Sequence, residues 1–453
     1  MTSSPTAELA RFTTKLSYDA LPSRVRERIK DYLLDAVASS LAGTHGDETA
    51  QIRDLAVTLG NGTSAVIGGE RMSMAGAALM NGYLITAVTV CDVHRSTLFH
   101  VTPEVVPPAL AVGDMKDSGG KDLIVALAAG LEVATRVAVG TNYQAFRARG
   151  WHSPGVVGPF GGAAAAGRLL GLSESLQRNA FGLAGSQSAG TFAQWGTPTI
   201  KFHQARGSLS GLLAALLAQT GFPASEEILT HPDGGIYNAY SDGGNAAVVV
   251  EGLGDRWELE NISLRLWPLG SSIQSVVTAV LNLANENDLR PEDVQRIRVG
   301  LSDTVYRMHG TMSWDDRFKA LLSAPYAAGV VLHDRRCWLD QFTPERIADP
   351  DLDRFIRERI TVENDPDVVG TGAAVIIETR SGEVYVDRRA VPKGDVADPL
   401  TREEIVEKFH TASRGILPDD EADRALAMIL DLENSSVREL MSTLTVSEAL
   451  VAA

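Results

Sequence analysis

Four stretches of the 453-residue chain place ionisable side chains among apolar neighbours: residues 91–107, 149–158, 196–211 and 264–275. Together they hold four histidines and three cations, namely His94, His100, His152, His203, Lys201, Arg206 and Arg265. Imidazole titrates near neutral pH, so it can accept a proton and return it. Arg and Lys bind carboxylates and stabilise the negative charge that develops when a neighbouring carbon loses its proton. The set therefore predicts an anion-binding acid–base site, although each residue taken alone is more typical of a structural or surface role.

His152 stands immediately before a segment of Gly, Ala, Val and Leu that runs to Leu172. In one interpretation His152 is structural and caps a helix or bonds a backbone carbonyl. In the other it is a proton-transfer residue, held still by closely packed small residues. Pro154 would then fix the chain at the helix entrance, and Trp151 would exclude water. We predict the second role.

The sequence contains none of the common cofactor, nucleotide or nucleophile motifs. It has no GxGxxG after a strand, no GxxxxGK[ST], no HExxH and no GxSxG. The glycines within 155–162 lack the lysine of a phosphate loop and predict close helix packing instead. Asp349, Asp351 and Asp353 alternate like the start of a calcium loop, but Arg354 replaces its glycine, so we predict a solvated turn. We expect neither a metal nor an organic cofactor.

The charge balance argues against several classes of partner. Asp and Glu number 57 against 41 Lys and Arg, and the net charge of −16 repels nucleic acid and anionic lipid. Two cysteines without CxxC spacing make a disulfide framework improbable. The N-terminus shows no basic region followed by an apolar run, and the apolar stretch 123–140 carries Glu132 and Arg136 and falls short of a membrane span. We expect a cytoplasmic protein that binds neither nucleic acid nor membrane.

Residue periodicity predicts a mainly helical first part, residues 1–264. Apolar residues recur at helical spacing between Val25 and Leu41, Gly43 ends that helix, and Ser173 is placed to cap another. A length of 453 residues favours two domains.

The pattern changes in residues 265–398, which we predict to be α+β. Ile297, Val299 and Leu301 alternate as in a strand, and residues 373–387 form two strand-like runs around Ser381-Gly382. Residues 399–453 open with Thr401 and Glu404 at capping-box spacing and return to helix. The predicted fold class is therefore mainly α with an α+β part.

In the order and spacing of its motifs, the sequence resembles the MmgE/PrpD family of carboxylic-acid lyases and epimerases from about residue 20 to residue 435. The resemblance rests on residues 81–111, 150–172, 196–217, 323–334 and 394–409. It implies a large helical domain completed by the C-terminal helices, a smaller α+β lid, an active site between the domains and a homodimer. It also implies the absence of metal and organic cofactor.

The resemblance assigns several positions to the site. His100 matches the histidine of the family's THP-like turn, and His152 matches the GWHP-like histidine. Tyr326 matches the tyrosine of the SxPY-like pattern, and Asp92 matches the second acid of the DFDD stretch.

Other positions depart from the family pattern. Thr89 replaces the first acid of the DFDD stretch, and Val93 replaces the threonine after it. Ile200 replaces the expected lysine and displaces it to Lys201. Arg265 replaces a lysine, while Gly270 and Gln274 replace histidines. These departures indicate altered chemistry, a different and less highly charged acid, or binding without turnover.

We predict a cofactor-independent lyase, of dehydratase or decarboxylase type, that abstracts a proton α to a carboxylate of a small di- or tricarboxylic acid. His152 transfers the proton, and His100 or Tyr326 handles the second one. One alternative is an epimerase or isomerase of a dicarboxylate with the same proton chemistry. The other is a catalytically silent small-acid-binding protein.

The remaining candidates are assigned to substrate binding. Arg265 and Lys201 would bind carboxylate oxygens, and His94 and Gln274 belong to the same predicted set. Asp92 either orients His94 or His100, or caps a helix. His203 either stacks structurally or contacts substrate.

Overall fold

The computed structural model describes residues 4–446, which form two compact units. The first unit comprises the chain up to residue 87, residues 91–263 and the chain from residue 401. The second unit comprises residues 88–90 and 264–400. The sequence predicts boundaries at 264/265 and 398/399, and the structure changes unit at 263/264 and 400/401.

The first unit is built almost entirely of helices. They are α1 Pro5–Lys15, α2 Ser23–Gly43, α3 Thr49–Thr58, α4 Met74–Ala87, α5 Thr102–Lys116, α6 Gly120–Gly140, α7 Tyr143–Ala148, α8 Ser153–Leu170, α9 Glu174–Gly185, α10 Thr199–Gln219, α11 Ile236–Tyr240, α12 Ala246–Val250, α19 Arg402–Ser413, α20 Asp419–Leu430 and α21 Val437–Thr443. Two short antiparallel pairs complete it, β1 Ser64–Ala65 with β2 Arg71–Met72 and β3 Val93–His94 with β4 Ile262–Ser263.

Helix α8 lies at the centre of this unit and packs against α5, α6 and α10. The predicted role of its glycines in close packing is confirmed: a Cβ at Gly161 would lie 2.6 Å from the Cβ of Ala134 on α6. The predicted cap at Ser173 is also confirmed, since its Oγ accepts a hydrogen bond from the backbone N–H of Leu176. Small residues thus bring the helices that carry the predicted site close together.

Among the described residues, α6 is the one helix long and apolar enough to cross a membrane. The sequence predicted that this apolar stretch falls short of a membrane span, and the helix is longer than that prediction. Nearly all of it is buried within the unit. Glu132 and Arg136 of this helix are also buried. Glu132 accepts backbone N–H groups of residues 258 and 259, and Arg136 donates to the carbonyls of residues 249 and 251. Helix α6 is therefore a core helix with internally satisfied charges.

The second unit is α+β, and the predicted fold class is thus confirmed. Its helices are α13 Gln274–Glu286, α14 Asp303–Val305, α15 Arg317–Ala320, α16 Ala324–Asp334, α17 Pro344–Ile347 and α18 Pro350–Arg359. Its strands are β5 Val294–Leu301, β6 Ile360–Asn364, β7 Ala373–Thr379 and β8 Val384–Arg389, in the order β6-β5-β7-β8. Strand β5 pairs parallel with β6 and antiparallel with β7, and β7 and β8 form the predicted hairpin.

Two local predictions in this region have different outcomes. The capping box of Thr401 and Glu404 at the start of α19 is confirmed. The solvated turn predicted at Asp349, Asp351 and Asp353 is wrong. Asp349 is the N-cap of α18, and its carboxylate accepts the backbone N–H groups of Asp351 and Leu352. The acidic residues that follow lie within the first turn of the helix, where they stabilise its dipole.

Candidate active site

The centre of the candidate site is a pair of histidines from two packed helices. His152 is the residue immediately before α8, and His203 lies in the first turns of α10. Their Nδ1 atoms are 3.1 Å apart, and the ring centroids are 5.2 Å apart. The two residues are only 5% and 7% exposed. The structure therefore brings together two predicted site residues that are 51 positions apart in the sequence.

Gly190 holds this pair in place. Its carbonyl accepts the backbone N–H of His152 at 3.1 Å. Its φ is +126°, a conformation that L side chains rarely adopt, and a Cβ there would lie 3.0 Å from Nδ1 of His203. A glycine is required here because the backbone turns tightly against the ring.

The surroundings keep both imidazoles neutral near pH 7. Burial holds the pKa of His152 well below its ordinary value of 6.5, and the positive charges of His203, His100 and Arg147 lower it further. Burial and the charge of Arg206 lower the pKa of His203 to about 4. Between two neutral rings, one Nδ1–H must donate to the other Nδ1. One ring then carries its proton on Nε2, and the other has an Nε2 lone pair, so the pair offers one proton donor and one acceptor.

His100 is positioned by the backbone of Asp92. Its Nδ1–H donates to the Asp92 carbonyl at 2.6 Å. The Asp92 carboxylate accepts the backbone N–H groups of Val101 and Thr102 and the Thr102 hydroxyl. Burial raises the pKa of Asp92 to about 6, although these hydrogen bonds oppose the shift. Asp92 thus anchors the start of α5 with its side chain and holds His100 through its carbonyl.

Two further predicted residues of the first unit have internal partners. Both ring nitrogens of His94 are engaged, Nδ1 with the Thr97 hydroxyl at 2.8 Å and Nε2 with the Glu258 carboxylate at 3.1 Å. The Lys201 ammonium lies 3.6 Å from the carboxylate of Glu48. These contacts are those of structural residues, and the substrate-binding roles of His94 and Lys201 stay predictions.

Arg265, Gln274 and Tyr326 belong to the second unit, and all three side chains bond backbone carbonyls there. Arg265 is 1% exposed and donates to the Leu269 carbonyl at 3.3 Å. Gln274 donates to the same carbonyl at 3.0 Å. The Tyr326 hydroxyl donates to the Gln341 carbonyl at 2.6 Å, and burial raises its pKa. Their roles toward substrate also stay predictions.

Two of the positions that depart from the family pattern have distinctive surroundings. Thr89 has a φ of +63°, which is rare for a β-branched residue and marks local backbone strain. At Gly270, a Cβ would lie 3.1 Å from Cε1 of His309. The Nδ1–H of His309 donates to the Leu322 carbonyl at 2.7 Å. The ring of His309 therefore fills the space beside the residue where the family pattern has a histidine.

The aromatic ring beside His152 is Phe192, not Trp151 as the sequence suggested. The rings of Phe192 and His152 meet edge to face at 5.8 Å, whereas Trp151 packs against Tyr240. Phe192 is fixed by its N–H, which donates to the Gly150 carbonyl at 2.7 Å. No sequence signal identified Phe192, because its contact with His152 depends on the loop before α10 folding back onto residues 150–152.

Glu104 is a second residue that sequence reasoning missed. It is fully buried on α5, and within the described chain neither carboxylate oxygen has a hydrogen-bond partner. Its side chain occupies the space that Cβ atoms at Gly158 and Gly207 would need. Burial, assisted by the charge of Asp92, raises its pKa well above the ordinary value and favours the protonated carboxyl. The sequence feature that could have identified Glu104 is the presence of one acidic residue within the apolar run after His100.

Arg206 fastens the loop around the histidine pair to α8. Its guanidinium donates to the carbonyls of Gln187 at 2.6 Å, Gly155 at 2.7 Å and Ala189 at 2.8 Å. Within residues 4–446, no three or more His, Cys, Asp or Glu side chains are grouped so as to hold a metal ion. The arrangement that the described residues do offer is a neutral, buried proton donor and acceptor.

Comparison with known proteins gives matches over both units. Residues 7–248 match the model of the MmgE/PrpD N-terminal domain, and residues 267–434 match that of the MmgE/PrpD C-terminal domain. A cis-aconitate decarboxylase-like protein of Aspergillus oryzae is 28% identical and covers 97% of each chain. Cis-aconitate decarboxylase of Aspergillus terreus is 26% identical over 94% of this chain and 93% of its own. The Homo sapiens enzyme of that name is 24% identical over 98% and 95%.

Proposed function

The chain belongs to the MmgE/PrpD family, and from that membership we propose a cofactor-independent decarboxylase of an unsaturated tricarboxylic acid of the cis-aconitate type. The family match and the decarboxylases among its relatives make it an enzyme of the lyase class. The single observation that carries the finer proposal is the buried pair of His152 and His203. It supplies a proton donor and a proton acceptor without any other group.

The chemistry needs a proton at carbon. When a carboxylate leaves as CO₂, the electrons of the broken C–C bond remain on the substrate. A neighbouring double bond conjugated with another carboxylate can delocalise this electron pair, so the substrate serves as its own electron sink. A proton must then be added to carbon, and the ring that donated it recovers a proton from solvent. The net reaction exchanges one CO₂ for one proton.

His152 is proposed as the donor to carbon, and His203 as the ring that fixes its tautomer. An empty site disfavours imidazolium because the rings are buried and near other positive charges. An anionic substrate reverses that balance, since its carboxylates stabilise a positive ring. The site therefore gains its acid only when substrate is bound, which limits unproductive proton loss to water.

The proton that restores His152 after each turnover is proposed to pass from solvent through His100, whose charge lowers the pKa of His152. Tyr326 remains the alternative for this step. Arg265, Lys201 and Gln274 remain proposed carboxylate-binding groups, and each also contacts a protein group in this structure.

We further propose that the enzyme is a homodimer whose contact lies mainly in the helical unit. Leu213 and Leu217, one turn apart on α10, are 43% and 41% exposed, and Phe222 just beyond that helix is 50% exposed. Apolar side chains grouped in this way are typical of protein interfaces. A monomeric mass by light scattering at micromolar concentration would refute the dimer.

A cytoplasmic location is proposed on the state of the cysteines. Cys91 and Cys337 are both buried and unbridged, which is typical of a reducing compartment. Fractionation of the native host with an antibody against the chain tests the location, and recovery outside the cytoplasm would refute it.

The activity is tested by incubating chelator-treated protein with cis-aconitate in D₂O. We expect CO₂ release, loss of the substrate NMR signals and one deuterium incorporated at carbon in each product molecule. Added EDTA should have no effect, because the pair needs no metal.

Other outcomes separate the alternatives. Exchange of α-protons in hydroxy or amino dicarboxylates without CO₂ release would indicate a dehydratase or epimerase that uses the same pair. Ligand binding without turnover or exchange across a panel of di- and tricarboxylates would identify a silent binding protein and contradict the proposal.

A further inference from the structure

Arg147 lies beside the histidine pair, although it was not among the predicted site residues. It is near the end of α7, where its carbonyl accepts the N–H of Gly150 at 2.9 Å. Gly150 has a φ of +81° and turns the chain toward His152. Residues 150–152 then run beside residues 190–192, joined by a bridge between Trp151 and Thr191. The turn thus places a cation and the proton-transfer residue five positions apart on one side of this loop pair.

The guanidinium of Arg147 is held by an aromatic ring. Its Cζ atom lies 3.5 Å from the centroid of the Phe192 ring, and Phe192 also meets the ring of His152. Trp195 stacks on Phe192 with centroids 5.3 Å apart and an angle of 11°. A guanidinium that covers an aromatic face keeps its N–H groups in its own plane, directed away from the ring. Phe192 therefore orients Arg147 without using its hydrogen-bond donors.

Arg147 also differs from the other cations of the site in what its donors bind. Arg206 donates to three backbone carbonyls, and Lys201 pairs with Glu48. The guanidinium of Arg147 makes no hydrogen bond or ion pair with any residue between 4 and 446. Of the two arginines whose charges lower the pKa values of the pair, Arg147 is the one whose guanidinium N–H groups are available to a ligand.

We propose that Arg147 is the residue that binds a substrate carboxylate at the histidine site, with Phe192 as the surface that orients its guanidinium. This inference rests on the proposed function, because it takes the ligand to be a di- or tricarboxylate. The planar N–H groups match the two oxygens of a carboxylate and can bind them in a bidentate manner. A carboxylate bound there also neutralises the charge beside His152, so that binding prepares the ring to carry a proton.

The test measures binding apart from chemistry. Propane-1,2,3-tricarboxylate is the probe, because it is saturated and lacks the double bond that the proposed decarboxylation uses. Calorimetric titration compares wild type with Arg147→Met, Arg147→Lys and Phe192→Leu. The matched control is Arg149→Met, which removes an exposed cation two residues further along the same turn.

We expect Arg147→Met to weaken binding of the probe about 10- to 100-fold, the usual scale for a charged hydrogen bond. Arg147→Lys should lose less affinity than Arg147→Met, because lysine keeps the positive charge but lacks the planar pair of N–H groups that binds both carboxylate oxygens. Phe192→Leu should weaken binding less than Arg147→Met, and Arg149→Met should leave it unchanged. With cis-aconitate, Arg147→Met should raise KM more than it lowers kcat. All variants should melt within a few degrees of wild type.

Different results would overturn the proposed role of Arg147 and the proposed decarboxylase function. Unchanged affinity in Arg147→Met, in a protein that still decarboxylates cis-aconitate, would overturn the role of Arg147 and leave the function standing. A wild-type protein that neither binds the probe nor turns over cis-aconitate would overturn both.

Discussion

The Nδ1 atoms of His152 and His203 lie 3.1 Å apart, so the two rings share a single hydrogen-bonding proton between them. The two rings cannot both be imidazolium without losing this contact, because both Nδ1 atoms would then be donors. The contact fixes one tautomer for each ring. It also makes each ring's pKa depend on the other.

This dependence predicts a pH profile. Because His152 must hold a proton to donate it to carbon, kcat/KM should fall as pH rises through the pKa of His152. Since His203 lowers that pKa, this limb of the profile should lie below pH 6.5 in the wild type. His203→Phe removes the neighbouring titratable ring, so the pKa of His152 should rise and the limb should move to higher pH. Burial still opposes protonation in the variant. His231→Asn, which changes an exposed histidine, is the control and should leave the profile unchanged. If the limb of the pH profile did not shift in His203→Phe, the pKa of His152 would not depend on His203.

Glu104 predicts a pH dependence of stability. Its pKa is raised in the folded state, so folded protein holds a proton that the unfolded chain releases above about pH 4.5. The free energy of unfolding therefore loses this contribution as pH rises from 4.5 toward the folded pKa. Glu104→Gln cannot ionise and should become more stable relative to wild type as pH is raised from 5 to 8. Denaturant titrations at both values measure the difference, and an equal difference at both would contradict the protonated state.

The histidine pair changes the free energy of unfolding in the opposite direction as pH rises. The comparison of wild type with Glu104→Gln at two pH values removes this contribution. Lowered pKa values mean that the unfolded chain binds protons first, so stability falls as pH drops below 6.5. Wild type and Glu104→Gln share this contribution, and it cancels in their difference.

Substitution of Gly190 is expected to lower kcat as well as stability. Gly190→Ala and Gly196→Ala both place a Cβ at positive φ, at a cost of about 1–2 kcal/mol. Only at position 190 does the new atom meet the His203 ring, whereas nothing lies within 4 Å at position 196. Gly190→Ala should therefore also reduce kcat by tenfold or more. Equal kcat values in the two variants would show that the ring tolerates displacement.

Much of the fold could be predicted because its signals are local. The cap at Ser173, the capping box at Thr401 and the alternation of Ile297, Val299 and Leu301 depend on residues within a few positions of one another. Asp349 shows the limit of such signals. The same acidic side chain can close a turn or begin a helix, and the choice depends on whether the apolar residues that follow, such as Leu352 and Ile356, find a core.

The site was less predictable because its contacts join distant segments. His152 and His203 could be selected by residue type, but their contact follows from the packing of α8 against α10. Lys201 shows that closeness in sequence does not place two side chains in the same site. Two positions along a helix turn a side chain about 200° around its axis, so Lys201 faces Glu48 while His203 faces His152. Phe192, Glu104 and Arg147 become site residues only through the same packing.

The most direct test of the account is the rate of cis-aconitate decarboxylation by His152→Asn, measured with deuterium incorporation into the product in D₂O. Asparagine keeps polarity and hydrogen bonding but cannot transfer a proton near neutral pH. We predict that kcat falls about 10²–10⁴-fold, the usual share of general acid–base catalysis. The melting temperature and the affinity for propane-1,2,3-tricarboxylate should stay close to those of the wild type. Turnover and deuterium incorporation at the wild-type rate would contradict the account and leave His152 as a structural residue at the start of α8.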